Sequence, residues 1–142
     1  MTERLERAQK RIRGEVPMWS QPSLSALLDI KLTSAQPGLV SVEYEFNEQH
    51  KGLDALNVGV LCTMAEAVMN MAFAMTLSDD EFCNLIEMKI NFMKPVRKGK
   101  LYATGKLLKG GRTLGLVECD TLDDAQQLVA HAVGTCLRLE TK

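Results

Sequence analysis

The chain has 142 residues, 46% of them hydrophobic and 25% charged, which fits one globular domain over 1–142 with residues 1–22 as an N-terminal extension. A formal net charge of −1, with acids and bases interspersed, argues against nucleic acid as a partner, because that partner calls for a basic face. Two histidines and four cysteines without a C-x-x-C pair argue against a metal site, and the charged N-terminus (MTERLERAQKRIRG) has no apolar stretch behind it and does not read as a secretory leader, so a cytoplasmic protein with reduced thiols is expected.

Residues 2–14 carry the stripe Leu5, Ala8, Ile12 of a solvated helix. Pro17 and Pro22 mark a loop around Trp19, and 23–28 suit one helical turn. Leu28, Ile30 and Leu32 alternate with Asp29 and Lys31, Pro37-Gly38 makes a turn, and Val40, Val42, Tyr44 and Phe46 alternate with polar residues. This period of two predicts a hairpin with one wet face. A polar loop at 47–56 follows.

The segment 57–77 (NVGVLCTMAEAVMNMAFAMTL) is rich in Ala, Met and Leu and has no proline. As a helix it reaches roughly 30 Å, the thickness of a bilayer core. Glu66 within it would cost about 2.5–3.5 kcal/mol in a membrane, and no Lys or Arg anchors its ends. A helix apolar nearly all round in such a chain is a central core helix. Four strands are expected after it, at 82–92, 100–109, 112–122 and 127–139, as a meander with turns at Gly110-Gly111 and Asp123-Asp124. Ile86, Met88, Ile90 and Phe92 mark one face of the first. Val129, His131, Val133, Leu137 and Leu139 mark one face of the last, with His131 read as a core histidine. The order β-β-α-β-β-β-β implies an α+β fold, an antiparallel sheet of about six strands wrapped round one long helix. One helix cannot cover such a sheet on both faces, so a homo-oligomer, dimer or tetramer, is expected.

Gly59, Thr63, Glu66 and Asn70 are spaced 4, 3 and 4, which stacks them on one helix face. Asn57 stands where an N-cap is favoured. A carboxylate in a dry element has a raised pKa, as a general base near neutral pH requires. The N–H groups at Val58–Val60 can hold a carbonyl oxygen as it gains charge, and Gly59 lets a substrate approach. Equally open is that Glu66 bonds to Thr63 or Asn70, or faces solvent.

These residues resemble the PaaI-type branch of the hotdog thioesterase superfamily, related to 4-hydroxybenzoyl-CoA thioesterase, over about Leu28 to Leu139. The family motif N-x-x-G-x-x-H-G-G, followed by an acidic residue nine positions after the His, falls on H50-K-G-L-D-A-L-N57-V-G59-V-L-C-T-M-A-E66. Asn57 replaces the His and Val58 the first glycine. Similar stretches are I90-N-F-M-K-P-V-R-K-G-K-L, G110-G-R112-T-L-G-L-V-E and L128-V-A-H-A-V-G-T. The resemblance implies a hotdog fold, hydrolysis of acyl-CoA, Glu66 as base or nucleophile, and an oxyanion site of the Gly59 and Val60 amides with Asn57 orienting the carbonyl. Thr63 and Asn70 then line the substrate site. Lys94, Arg97, Lys98 and Arg112 would meet phosphates and pantetheine, ordinary surface charge being the plain alternative. His50 lies in the active-site loop by analogy. No cofactor beyond the substrate's own coenzyme A is implied, and neither a membrane nor nucleic acid. The alternative function is an acyl-CoA-binding hotdog protein without turnover. A hotdog dehydratase ranks last, because the helix carries no histidine.

Overall fold

The computed structural model describes residues 1–141. Helix α1 covers Glu3–Ile12 and α2 Leu24–Leu27; β1 covers Lys31–Gln36 and β2 Leu39–Glu45. A single 3-10 turn, Glu48–His50, leads to the central helix α3, Val58–Ala74. The remaining strands are β3 Glu81–Phe92, β4 Lys100–Gly110, β5 Leu114–Asp123 and β6 Leu128–Glu140. No helix among the described residues is long and apolar enough to cross a membrane. All four cysteines are free and lie in α3, β3, β5 and β6. Burial pushes the Cys119 thiol up to about 12, so it stays protonated and inert.

The six antiparallel strands lie in the order β1-β2-β4-β5-β6-β3, the α+β hotdog arrangement with α3 packed across one face. Only β4-β5-β6 is a meander; the expectation of a four-strand meander fails at β3. Helix α3 touches β2, β4, β5, β6 and β3 in crossing the sheet. The short connection after it therefore delivers β3 to the far edge beside β6, and β4 returns to pair with β2 through Val42↔Ala103. The first strand also starts later than its alternation suggests, because Asp29 adopts a left-handed φ of 55° and bends the chain ahead of Lys31.

The helix lies very close to the sheet. A Cβ on Gly105 of β4 would stand 2.4 Å from the backbone carbonyl of Val68, and one on Gly115 of β5 would stand 2.8 Å from the Phe73 ring. This spacing selects the inward residues of β6. They are Ala130, Ala132, Gly134 and Cys136, all buried, not the larger alternate set predicted from the pattern. Val129 is buried at the strand's start, but His131, Val133, Leu137 and Leu139 face outward. His131 is a half-exposed outer-face residue whose Nδ1 lies 2.6 Å from Asp120 Oδ1, which corrects its reading as core. A bulge between Leu85 and Glu87 likewise turns Ile86 out to solvent while Leu85, Met88 and Ile90 pack inward. The outer face leaves Leu114, Leu116 and Val133 exposed.

The ends of α1 and α3 satisfy one another. Asp79, just past α3, accepts the Glu3 and Arg4 backbone N–H groups at 2.9 and 3.2 Å, so it caps the positive end of α1. Arg4 in turn donates to the Ala74 carbonyl at 2.8 Å and to the Ser78 and Glu81 carbonyls, closing the negative end of α3. Arg138 pairs with Glu81 beneath this junction.

Because the Gly105 site has no room for a methyl group against helix backbone, Gly105→Ala should destabilise the fold by about 1–3 kcal/mol. Urea denaturation followed by circular dichroism measures this; an unchanged midpoint would show that α3 can retreat from the sheet.

Candidate active site

The loop before α3 is held by its backbone. Asn57 N–H donates to the His50 carbonyl at 3.0 Å, Gly52 N–H to Ala55 O at 2.7 Å and Leu56 N–H to Val96 O at 2.8 Å. Asn57 then caps the helix: its Oδ1 accepts from Gly59 N–H at 2.8 Å, and its carbonyl accepts from Val60 N–H at 3.0 Å. This corrects one part of the sequence reading. The Gly59 and Val60 amides are engaged by Asn57 and are not free donors. Asn57 Nδ2 is left as the unengaged end of an exposed carboxamide. Glycine at 59 serves the cap, since a Cβ there would lie 2.9 Å from Asn57 Oδ1.

His50 has a partner that the sequence did not reveal. The buried Tyr44 hydroxyl lies 2.7 Å from His50 Nδ1, with the rings 5.8 Å apart. Among the described residues the hydroxyl has no other side-chain partner, so its proton must go to Nδ1; otherwise a buried donor is unsatisfied at a cost of about 1–3 kcal/mol. Burial raises the Tyr44 pKa, against an opposing effect of the Asn47 backbone N–H directed at the phenol oxygen. Nδ1 is then an acceptor, and the neutral ring carries its proton on Nε2.

Glu66 lies on the exposed face of α3, and among the described residues its carboxylate has no hydrogen-bond partner. Neither alternative within the helix is made: Thr63 Oγ1 donates to Gly59 O at 2.8 Å, and Asn70, whose Oδ1 accepts from Cys83 Sγ at 3.4 Å, makes no bond to Glu66 among the described residues. Although the residue is exposed in the single chain, the protein surrounding its carboxyl raises the Glu66 pKa by desolvation. The helical rise sets its distance from the cap. Nine residues at 1.5 Å each separate Asn57 from Glu66 by about 13 Å along the axis. One carbonyl group cannot contact both within one chain.

Two cavities open on this face. One, of about 340 Å³, is lined by His50, Asn57, Gly59, Val60 and Thr63 together with Leu24, Leu28, Gln49 and Lys51. The other, of about 380 Å³, is lined by Glu66, Cys62, Met88 and Thr63 with Ser23, Leu24 and Ser25. Leu24 and Thr63 are common to both, so one groove runs beneath α2 from the helix start to Glu66. A third cavity of about 490 Å³ holds Lys94, Arg97 and Lys98. There Lys94 Nζ donates to Asp123 Oδ2 at 2.7 Å and Gln127 Oε1 at 2.8 Å, and Arg97 pairs with Asp54 at 2.5 Å. Those cations hold both aspartates below their usual pKa. Lys98 makes no ion pair among the described residues. Arg112 sits past the opposite end of the 11-residue β4, about 35 Å along the strand, so one chain does not gather it with the other three. No group of three or more His, Cys, Asp or Glu among the described residues could hold a metal ion.

The thioesterase superfamily profile matches residues 54–130. A protein of Saccharolobus solfataricus named as a candidate esterase is 32% identical over 117 residues, covering 81% of this chain and 82% of its own. Among solved structures, the PaaI protein of the E. coli phenylacetic acid degradation operon superposes with a TM-score of 0.82 at 19% identity, over 97% of each chain. A thioesterase of Haemophilus influenzae superposes with a TM-score of 0.80 at 18% identity, over 84% of this chain and 85% of its own. At these identities the two structures bear on the fold.

The double engagement of Asn57 separates two of its properties. Asn57→Ala removes the cap and should cost about 1 kcal/mol, whereas Asn57→Asp keeps an acceptor for Gly59 N–H and should hold the parent stability. Thermal denaturation of the two variants side by side checks this; equal losses would show that the Gly59 bond contributes nothing.

Proposed function

The chain belongs to the thioesterase superfamily, and on that footing we propose that it hydrolyses an acyl-CoA thioester with Glu66 as the general base. One observation carries this reading: a carboxylate with a raised pKa and no partner, placed on a groove that runs to a capped helix start. No Ser or Cys paired with a His base lies along that groove, which favours water as the attacking group.

The steps balance simply. Glu66 takes a proton from water as the water oxygen bonds to the thioester carbon, and the carbonyl oxygen becomes an oxyanion. When the carbonyl re-forms, the C–S bond breaks. The departing thiolate takes the proton from Glu66, leaving a carboxylic acid, free coenzyme A and the carboxylate base restored.

The 13 Å between Asn57 and Glu66 implies two protomers per site. In this reading two copies pair with α3 helices antiparallel, so Glu66 of one faces the helix start of the other. The unpaired edge of β3 and the uncovered outer sheet face are surfaces that such a homo-oligomer, dimer or tetramer, would cover. Asn70 and Thr63 then shape the groove wall, and its apolar lining with Leu24 and Met88 suits an acyl chain. Lys98 is the cation best placed for coenzyme A phosphates, with Lys94 and Arg97 already paired; Arg112 reaches them only from a second copy. Four free thiols suit the reducing cytosol.

A second reading, acyl-CoA binding without turnover, is favoured by the Asn57–Gly59 bond, which removes a backbone donor from the oxyanion position. Turnover separates the two. Purified protein should release thiol from acyl-CoA, and Glu66→Gln should lower the rate by about 10²–10⁴-fold while the fold stays intact; equal rates would rule out the mechanism. Since desolvation raises the folded pKa, the carboxylate form costs stability as pH rises through that pKa, so Glu66→Gln should keep or raise Tm at pH 7. For the same reason kcat/KM should fall on the acid side with a midpoint above 4.5, the ordinary glutamate value. Lys98→Glu should raise KM for acyl-CoA about fivefold and leave KM for an acyl thioester of N-acetylcysteamine, which has no phosphates, unchanged; equal effects on both would remove Lys98 from phosphate binding.

A further inference from the structure

The cavity at the start of α3 contains more ordered chemistry than the cap. Its backbone amides at Gly59 and Val60 are engaged, which leaves Val58 N–H and the lining side chains as donors to a carbonyl oxygen placed there. Four polar side chains besides Asn57 line it: Gln49, His50, Lys51 and Thr63. Thr63 donates to Gly59 O, Lys51 lies 3.7 Å from Glu48, and Gln49 is exposed with nothing holding its amide. His50 alone is fixed on two sides. Its carbonyl holds Asn57 N–H, and its Nδ1 is held by the Tyr44 hydroxyl rooted in the core. Its remaining ring nitrogen, Nε2, carries the proton and has no partner among the described residues.

We propose that His50 is a catalytic residue whose Nε2–H, beside the Asn57 Nδ2 amide, holds and polarises the carbonyl oxygen of the thioester at the start of α3. The proposal rests on the thioesterase reading above and deepens it. Two side-chain donors here do the work that the Gly59 and Val60 amides cannot while Asn57 engages them. Tyr44 is a positioning residue: its hydroxyl fixes both the ring and the tautomer, so that the imidazole donates rather than accepts. A neutral donor is suited to this place, because it stabilises developing negative charge without competing for the proton that Glu66 must take. His50 and Tyr44 sit six residues apart, on a strand and the turn after it, so their pairing is built locally and orders the loop before substrate arrives.

Long-range nitrogen-15 NMR of histidine-labelled protein reads the tautomer directly, with no substrate needed. The parent should show His50 protonated on Nε2, and Tyr44→Phe should lose that fixed tautomer; a parent ring protonated on Nδ1 overturns the proposal. In steady-state hydrolysis His50→Ala should lower kcat by about 10²–10³-fold, with KM moved far less. His50→Gln, whose amide can reach the position of Nε2, should recover part of that loss. An unchanged kcat in His50→Ala overturns the proposal even where Glu66→Gln is inactive, so the two readings fail separately. If no thioester is hydrolysed by the parent, the infrared carbonyl stretch of a bound ketone analogue of acyl-CoA still decides. It should lie at lower frequency on the parent than on His50→Ala. Equal frequencies overturn the role of His50, and an analogue that does not bind overturns both readings. Mixed dimers of His50→Ala with Glu66→Gln each retain one intact site and should recover about a quarter of the parent rate at random pairing. No recovery would place His50 and Glu66 of the same protomer at one site and overturn the pairing of His50 with the partner's carboxylate.

Discussion

The close approach of α3 to the sheet governs the rest of the molecule. With no room for a Cβ at Gly105, the helix rests on strand backbone, and the floor beneath it is built of Ala103, Gly105, Gly115, Cys119, Ala132 and Gly134. Packing at native density then fixes the rotation of the helix about its axis. Val68, Met69, Ala72 and Phe73 go down into the core, while Cys62, Thr63 and Glu66 turn to the open side. The same floor drives the larger side chains of β5 and β6 outward, where Leu116 and Val133 remain exposed in the single chain. An acidic residue reaches the surface of an apolar helix here because the sheet leaves it no other side.

Asn57 joins stability to chemistry in one side chain. A helix start offers donors to a ligand only to the extent that its own cap leaves them free. An asparagine whose Oδ1 turns back to Gly59 exchanges a backbone donor for a side-chain one, Nδ2, and moves the donor outward by the length of a carboxamide. Any ligand held at this helix start therefore depends on side chains that the preceding loop must hold in place, and the loop is tied down by backbone bonds to Ala55, Val96 and His50.

Much of the architecture was legible in the chain because its signals are local. The Asn57 cap, the 3.6-residue helix without proline, the Pro37-Gly38 turn and the period-two strands all depend on neighbours in sequence. What escaped depends on distance across the fold. The crossing of β3 to the far edge follows from where α3 ends on the sheet, and the choice of Ala130–Cys136 as the inner face of β6 follows from the closeness of a helix some seventy residues earlier. In both cases hydrophobicity alone pointed the other way. The helix face that carries the candidate residues was legible, and the distances between them were not. Glu66, Asn57 and Gly59 stand on the open face as their spacing implied, yet the 1.5 Å rise already separates the first two too far to serve one carbonyl. Arg112 was grouped with Lys94–Lys98 by charge, although an 11-residue strand lies between them. The Tyr44–His50 bond had only a weak signal, a lone histidine five residues past a strand and seven before a cap.

The reciprocal capping of α1 and α3 sets an order on folding. Arg4 and Asp79 bridge about 75 residues of sequence, so α1 can be satisfied only after the central helix and its exit loop have been made. Until then α1 is a ten-residue amphipathic helix, too short to hold by itself in water. A helix made early thus docks late, and the central helix keeps open carbonyls at its end until Arg4 arrives to close them.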